Sequence, residues 1–243
     1  MPIISEQKPE IAKRKEIIAQ NLFALQARIK DACLRSTRTE NTIKLVVAVK
    51  TVDASTVRAL YELGISEIGE NKVQDAEDKE KALSDLNIHW HMFGHLQRNK
   101  VKRALSLFEL IHSVESVRLA EEISKESIKQ GKRTDILVEA NISGESTKFG
   151  IKEAEAIPFI KQISHLEGIR ILGLMTMAPI VDDPELCRSV FRGLKELSDK
   201  ITAEGIKNVE MKYLSMGMTQ DFEVAIEEGA NLIRVGTAIF KGI

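Results

Sequence analysis

The feature that most constrains the fold of this chain is a regular alternation of short apolar runs with longer amphipathic segments. Eight runs rich in Val, Ile and Leu have the length of buried strands, and segments with apolar residues at three- and four-residue spacing lie between them. This alternation predicts a parallel sheet with helices outside it. Eight such units in 243 residues favour a closed (β/α)8 TIM-type barrel, and a doubly wound open sheet is the alternative fold. The predicted strands are residues 43–49, 65–69, 88–93, 107–112, 135–142, 171–175, 209–214 and 231–235.

A long amphipathic segment, residues 10–35, precedes the first strand and predicts an extra N-terminal helix. Asp53 and Thr219 have the residue types and positions of helix caps. Pro158 lies inside an otherwise helical segment, where we expect a bend or a restart. No linker, low-complexity tract or block of charge divides the sequence, so we predict one domain over residues 1–243. The remaining predicted helices are residues 54–63, 72–86, 99–105, 117–129, 151–166, 184–204 and 220–228.

Charge and cysteine content exclude several classes of protein. The net charge is −1, which does not favour a general binder of nucleic acid or of membrane surfaces. The first residues contain no apolar core of a secretory signal, and no apolar run is long enough to span a bilayer. Cys33 and Cys187 lie on apolar helical faces and are predicted to be buried free thiols in a reducing compartment. We therefore expect a cytoplasmic protein.

Polar residues follow the predicted strands at their carboxyl ends, which form the active face of a barrel of this kind. The helix ends at the opposite face offer no comparable polar set. The residues at the carboxyl ends are Lys50, Asn71, the segment 91–95, Ser113, Asn141, Thr176, Ser215 and the segment 234–237.

The last two βα units predict an anion site. A turn with Ser215 and Gly217 follows one strand, and Gly236 and Thr237 follow the next strand, which contains Arg234. Backbone N–H groups, hydroxyls and one guanidinium together can hold a phosphate, and the loops after the seventh and eighth strands of such barrels commonly do so. Ordinary βα turns also need Gly, Ser and Thr, and the buried guanidinium could instead pair with a carboxylate of a neighbouring strand.

Lys50 comes directly after the first apolar strand, so its stem is expected to run inside the barrel mouth. Partial desolvation there would favour the neutral amine, which can attack a carbonyl and form a Schiff base. A lysine that extends to solvent, or pairs with Glu70, is the structural alternative. A Schiff-base lysine beside a phosphate site suits pyridoxal 5′-phosphate or a phosphorylated sugar.

Two histidines of the third strand, His89 and His91, raise the possibility of a metal-dependent barrel hydrolase. The ends of the later strands carry Asn141, Ser215 and Arg234 rather than acidic ligands. We therefore predict no metal site and retain the hydrolase as a third hypothesis, to be tested by metal analysis of the purified protein.

Several motifs resemble those of the pyridoxal phosphate homeostasis proteins, and they occur in order over nearly the whole chain after the first helix. They are VAVKT around Lys50, IGENKVQD from Ile68, WHMFGHLQRNK from Trp90, IHSVES from Ile111, NISGESTKFG from Asn141, LGLMTM from Leu172, LSMGMTQDFEVAIEEGA from Leu214 and IRVGTAIF from Ile233. Together they are far more specific than any one of them. Four positions depart from the family pattern: Val49, His95, and the neighbouring Thr219 and Gln220.

The resemblance implies the barrel of the alanine racemase N-terminal domain without the second domain that racemases carry. It implies pyridoxal 5′-phosphate bound to Lys50 as a Schiff base, with Asn71 near the cofactor. It further implies phosphate contacts from Ser215, the backbone around Gly217, Arg234, Gly236 and Thr237. Val49 removes a hydroxyl-bearing neighbour of the lysine, whereas Thr219 keeps the hydroxyl of the phosphate turn.

The resemblance also implies a carrier in vitamin B6 homeostasis, with no catalytic residue and with no expected turnover. On this interpretation the protein is a monomer that binds a small-molecule cofactor, and apo-enzymes that require pyridoxal phosphate are candidate acceptors. The alternatives are a pyridoxal-phosphate-dependent racemase or decarboxylase, or a Schiff-base aldolase. A racemase needs an acid or base at the α-carbon, and the only tyrosines are Tyr61, in a predicted helix, and Tyr213, in a predicted strand.

Overall fold

A computed structural model describes residues 4–145 and 147–243 and shows a closed parallel barrel. Eight strands hydrogen-bond in the order β1-β2-β3-β4-β5-β7-β8-β9 and back to β1, and the pairing of β4 with β5 completes the ring. The predicted barrel is therefore confirmed, and the open sheet is excluded. The strands are β1 (Lys44–Ala48), β2 (Glu67–Glu70), β3 (His89–Met92), β4 (Leu110–Val114), β5 (Thr134–Asn141), β6 (Ile151–Lys152), β7 (Ile169–Met175), β8 (Val209–Ser215) and β9 (Leu232–Val235).

Helices surround the barrel and separate most of its strands. The helices are α1 (Ile4–Arg35), α2 (Ala54–Glu62), α3 (Val73–Ala82), α4 (Val101–Leu105), α5 (Val117–Lys129), α6 (Glu153–Ile163), α7 (Arg188–Ala203) and α8 (Phe222–Glu227). Short 3-10 turns precede β1, α4 and α7 at Glu40–Thr42, Arg98–Lys100 and Pro184–Cys187. No helix within the described ranges is both long and apolar enough to cross a membrane.

Three local predictions need correction. Thr219 does not cap α8: Asp221 occupies the N-cap position, and the Thr219 hydroxyl accepts a hydrogen bond from the Ala238 amide at 3.4 Å. Pro158 does not restart α6: the helix continues through it, although Pro158 provides no N–H for the Ala154 carbonyl. The two-residue strand β6 escaped prediction because it pairs only with the end of β5.

Two hydrophobic clusters fill the molecule. The larger lies between the barrel and its helices, and includes Ile18, Leu22, Leu25 and Ile29 of α1. The smaller fills the barrel itself with Val46, Leu110, Leu137, Leu172, Met175 and Leu232, against which Phe93 and Tyr213 pack. Because side chains alternate along a strand, polar residues two positions from these also face the barrel interior.

A network of ion pairs joins three helices on the outside of the barrel. The Arg188 guanidinium pairs with Glu185 at 2.7 Å, Glu227 at 2.7 Å and Glu228 at 2.9 Å. Arg35 of α1 pairs with Glu227 at 2.6 Å, so α1 is connected with α7 and α8.

Candidate functional site

A cleft of about 350 Å³ opens at the carboxyl ends of β1, β8 and β9. Parallel strands bring their carboxyl ends to one face of the barrel, which is why segments distant in sequence meet here. Four of the predicted site residues line this cleft: Lys50, Arg234, Gly236 and Thr237. The other lining residues are Ala48, Thr51, Pro179, Ile180, Met218, Thr219, Gln220 and Asp221.

Lys50 lies in the turn after β1, two residues beyond the end of the strand. Its side chain is exposed and has no hydrogen-bond or ion-pair partner in the described part of the chain. The expected desolvation is therefore not observed, because the turn carries the lysine past the strand to the open side of the cleft. The alternative pairing with Glu70 is also not observed.

Glu70 instead pairs with Lys79 of α3, and both side chains are buried. The Lys79 ammonium also donates to the Val49 carbonyl at 3.0 Å, and the second carboxylate oxygen of Glu70 accepts from the Asn71 amide at 3.0 Å. This buried pair fixes the backbone just before Lys50 without using the amine of Lys50 itself.

Two turns present backbone N–H groups at the cleft. The amides of Thr219, Gln220, Gly236 and Thr237 line the cleft and have no acceptor among the described residues. Amides in such a cluster act as fixed positive partial charges and can receive an anion.

Asp221 shapes the first of these turns, because its carboxylate accepts from the Met218 amide at 2.6 Å. Burial raises the pKa of Asp221. The bond from the Ala238 amide to Thr219 connects this turn with the one after β9. The two turns therefore form one surface.

Two glycines are required where the backbones approach each other. Gly217 has a φ of +91°, and a Cβ atom there would lie 2.7 Å from the Ala225 Cβ. A Cβ atom at Gly236 would lie 2.8 Å from the Ala48 carbonyl oxygen. Side chains at either position would displace the turns, which explains the glycines in both motifs.

Arg234 is the cation of the cleft, although only 4% of its surface is exposed. Its guanidinium donates to the Ser215 hydroxyl at 2.6 Å and to the Thr176 carbonyl at 3.0 Å. It forms no ion pair with a carboxylate in residues 4–145 and 147–243. Burial lowers its pKa to about 10, and the nearby carboxyl groups of Glu139 and Asp221 oppose that shift. The positive charge is thus held by neutral acceptors.

Ser215, Gly217 and Asn71 are placed differently from the four residues in the cleft. The Ser215 side chain is completely buried behind Arg234, and the Gly217 carbonyl accepts from the Arg234 amide at 3.0 Å. Asn71 lines a neighbouring cleft of about 360 Å³, together with Lys72, Gln74, His95 and Gln97. Asn71 is therefore at the same face of the barrel but does not line the cleft that contains Lys50.

Glu139 is a buried polar residue near the carboxyl end of β5, and it was not among the predicted site residues. It faces the barrel interior two residues after Leu137, is 3% exposed, and has no hydrogen-bond partner among the described residues. Burial raises its pKa to about 7, the charge of Glu115 adds to the shift, and Arg234 opposes it. The alternation of Leu137 and Glu139 was the available sequence signal.

The two histidines of the hydrolase hypothesis have separate partners. His89 contacts the Glu109 carboxylate at 2.9 Å, while His91 is buried and contacts Glu67 at 2.6 Å. The described ranges contain no group of three His, Cys, Asp or Glu residues placed to hold a metal ion.

The polar loop after β5 is held by Asn141, whose side chain donates to the Glu145 carbonyl at 2.8 Å and accepts from the Gly144 amide at 3.0 Å. Lys148 reaches across to the Met177 carbonyl at 3.4 Å. Ser146, part of the loop motif, lies outside the described residues.

Comparisons with known proteins agree with this arrangement. Residues 21–243 match the family described as alanine racemase, N-terminal domain. The pyridoxal phosphate homeostasis protein of Aquifex aeolicus (strain VF5) is 42% identical over 221 residues, which are 91% of this chain and 96% of that protein.

Two solved structures are also similar. PipY of Synechococcus elongatus PCC7942 with PLP bound has a TM-score of 0.80 at 29% identity, over 92% of this chain and 99% of that chain. An alanine racemase of Clostridium difficile 630 has a TM-score of 0.72 at 17% identity, over 92% of this chain and 56% of that chain. The latter similarity concerns the fold alone.

Proposed function

This chain belongs to the pyridoxal phosphate homeostasis protein family, and on that premise we propose that it binds pyridoxal 5′-phosphate at the cleft beside Lys50. The protein holds the cofactor for intracellular vitamin B6 homeostasis and does not turn over a substrate. The observation that carries the proposal is the donor set of one cleft: amides without an acceptor, a guanidinium without a carboxylate and a lysine without a partner, as far as the described part of the chain shows.

The chemistry of the residues fits the cofactor. When bound, pyridoxal 5′-phosphate supplies an aldehyde that condenses with a primary amine. Lys50 provides the primary amine of the cleft. Because its side chain is exposed, other amines in solution could take its place on the aldehyde. The turns at Gly217 and Gly236, with Thr237, would hold the phosphate through their amides and hydroxyl.

Arg234 would supply the positive charge for the same ligand, while Ser215 orients that charge from behind and makes no direct contact. Asn71 would act from the neighbouring cleft. Tyr61 lies in α2, and Tyr213 packs against the cluster inside the barrel. Neither of them lines the cleft.

A spectroscopic titration tests the proposal. Purified protein is mixed with pyridoxal 5′-phosphate, and we expect a visible band displaced from that of the free aldehyde. Borohydride should fix the label on a Lys50 peptide, and Lys50→Ala should lack the band. Lys207→Ala, an exposed lysine next to the opposite end of β8, is the matched control and should behave as the parent protein. No band at saturating cofactor would contradict the proposal.

We further propose that the protein is a cytoplasmic monomer and that apo-enzymes dependent on pyridoxal phosphate accept its cofactor. Light scattering of the loaded protein should give the mass of one chain. Loaded protein should restore activity to such an apo-enzyme, whereas Lys50→Ala should not. The loaded protein itself should show no more racemase or decarboxylase activity than Lys50→Ala.

A further inference from the structure

A continuous chain of hydrogen bonds crosses the barrel interior, from the cleft toward the amino ends of the strands. Arg234 contacts the Ser215 hydroxyl at 2.6 Å, and that hydroxyl contacts His112 Nδ1 at 2.9 Å. His112 Nε2 contacts His91 Nδ1 at 3.0 Å, and His91 Nε2 contacts the Glu67 carboxylate at 2.6 Å. We call these five residues the interior relay.

The interior relay is buried from Arg234 to His91, and only its Glu67 end is partly exposed. Ser215 and His112 are fully buried and His91 is 3% exposed, so water does not compete for their hydrogen bonds. At its far end Glu67 also pairs with Lys44 of β1. The carboxylate of the relay is therefore neutralised at the end opposite the cleft.

The chemistry of the end groups sets the direction of the two outer bonds. A guanidinium can only donate, so the Ser215 oxygen accepts from Arg234. Hydrogen bonds from His91 and Lys44 lower the pKa of Glu67 to about 2 against the effect of its burial, so its carboxylate only accepts.

With a neutral His91, the histidines between these ends have one consistent arrangement. Complete burial, with the positive charges of Arg234 and Lys44 nearby, holds the pKa of His112 well below its usual range, so His112 is neutral. His91 donates from Nε2 to Glu67, and its bare Nδ1 accepts from His112 Nε2. The bare Nδ1 of His112 then accepts the Ser215 proton. All four bonds point from Arg234 toward Glu67.

We propose that His112 and His91 are positioning residues, which fix the lone pairs of the Ser215 hydroxyl toward Arg234 and so hold its guanidinium at the cleft. The relay satisfies the buried donors of Arg234 with a neutral oxygen. A carboxylate in the place of Ser215 would give an equally good hydrogen bond but would cancel the charge that attracts an anion. The relay instead keeps its negative charge at the far end.

The tautomers are tested on the protein without cofactor. Nitrogen-15 NMR of histidine-labelled protein distinguishes protonated from bare ring nitrogens. We expect His112 to carry its proton on Nε2 and to have a bare Nδ1, as the direction of the interior relay requires. A proton on Nδ1 of His112, or a charged ring there, would overturn the proposal whether or not the protein binds pyridoxal phosphate.

The consequence for binding rests on the proposed function and is tested with variants of His112. His112→Leu removes the acceptor of the Ser215 proton, and we expect pyridoxal 5′-phosphate to bind at least about tenfold more weakly. His112→Asn keeps a polar partner near Ser215 and should recover most of that loss. His165→Leu, an exposed histidine outside the cleft, is the control and should bind as the parent protein.

Circular dichroism and thermal melts show which variants are folded. Folded His112→Leu protein that binds as tightly as the parent would contradict the positioning role, and so would equal losses in folded Leu and Asn variants. If the parent protein itself fails to bind pyridoxal 5′-phosphate, the proposed function is wrong. The NMR experiment then still shows whether the hydrogen bonds of the interior relay have the proposed direction.

Discussion

Lys50 and Glu139 show that the exact position of a residue near the end of its strand decides its chemistry. Lys50 follows β1 in a turn and is exposed, whereas Glu139 lies inside β5 and is 3% exposed. Both are charged residues near the carboxyl end of a strand. The difference in burial leaves the lysine available to react, while the carboxyl group holds a proton near neutral pH.

Glu139 should make the stability of the protein fall as pH rises. Its native pKa is about 7, against 4.5 as the ordinary value, so between these values the native state binds more protons than the unfolded state. The free energy of unfolding should lose about 3 kcal/mol across that interval from this group. Below pH 4.5 the contribution of Glu139 to the free energy of unfolding is fully present.

Glu139→Gln should remove this pH dependence, as measured by urea unfolding at about pH 5 and about pH 8. Glu167→Gln, which changes an exposed carboxylate, should keep the slope of the parent protein. Identical slopes in parent and Glu139→Gln would show that the carboxyl group is ionised in the folded protein across this range.

The residues of the cleft were predictable to different degrees. Lys50, Arg234, Gly236 and Thr237 could be placed together because parallel strands bring their carboxyl ends to one face. The buried position of Ser215 was not predictable, because an apolar strand pattern does not show which hydroxyl a neighbouring arginine will cover.

At the scale of elements, the turn after β1 is supported by a buried ion pair between β2 and α3. Lys79→Met would leave the Glu70 carboxylate buried without its cation, and we expect the protein to lose about 3–5 kcal/mol of stability. The double variant Glu70→Gln with Lys79→Met should recover much of that loss, because the amide removes the charge and still accepts from the Asn71 amide.

Lys195→Met is the control for the buried pair, since the Lys195 ion pair with Asp199 is exposed. Its effect should be within about 0.5 kcal/mol. Urea unfolding of the four proteins measures the differences. A cost for Lys79→Met equal to that of the control, or a double variant no more stable than the single one, would contradict the prediction.

Element type was more predictable than element boundaries. All eight barrel strands were predicted, and α5 has its predicted bounds because Ser116 accepts from the Leu119 amide at its start. The helix predicted over residues 72–86 ends at Ala82, since its charged sequence gives little apolar periodicity to define an end. Strand β4 begins at Leu110, three residues later than predicted.

At the scale of the whole molecule, we propose that residues 1–243 form one domain that includes the extra helix. The apolar face of α1 packs into the larger hydrophobic cluster. Asn21 donates to the carbonyls of Ile239 and Lys241, each at 3.0 Å, and so connects α1 with the end of the chain. Helix α1 therefore packs on the outside of the barrel, beside the last residues of the chain.

Calorimetry tests whether α1 and the barrel unfold together as one domain. We expect one cooperative transition whose calorimetric and van't Hoff enthalpies agree. Ile18→Ala deletes a fully buried side chain of α1 and should destabilise the whole protein by about 2–5 kcal/mol, which lowers the temperature of that single transition. Phe23→Ala, at a position 77% exposed, should leave the transition nearly unchanged. A separate early transition in Ile18→Ala would show that α1 unfolds independently.

The ion-pair network around Arg188 has a consequence for behaviour on heating. Three carboxylates share that guanidinium, and Arg35 extends the network to α1. The hydration of charged groups becomes less favourable as temperature rises, so the cost of removing these groups from water falls. The ion pairs that join α1, α7 and α8 should accordingly contribute more to stability as the temperature rises, while the stabilisation by their apolar contacts levels off, and dissolved salt should weaken these ion pairs.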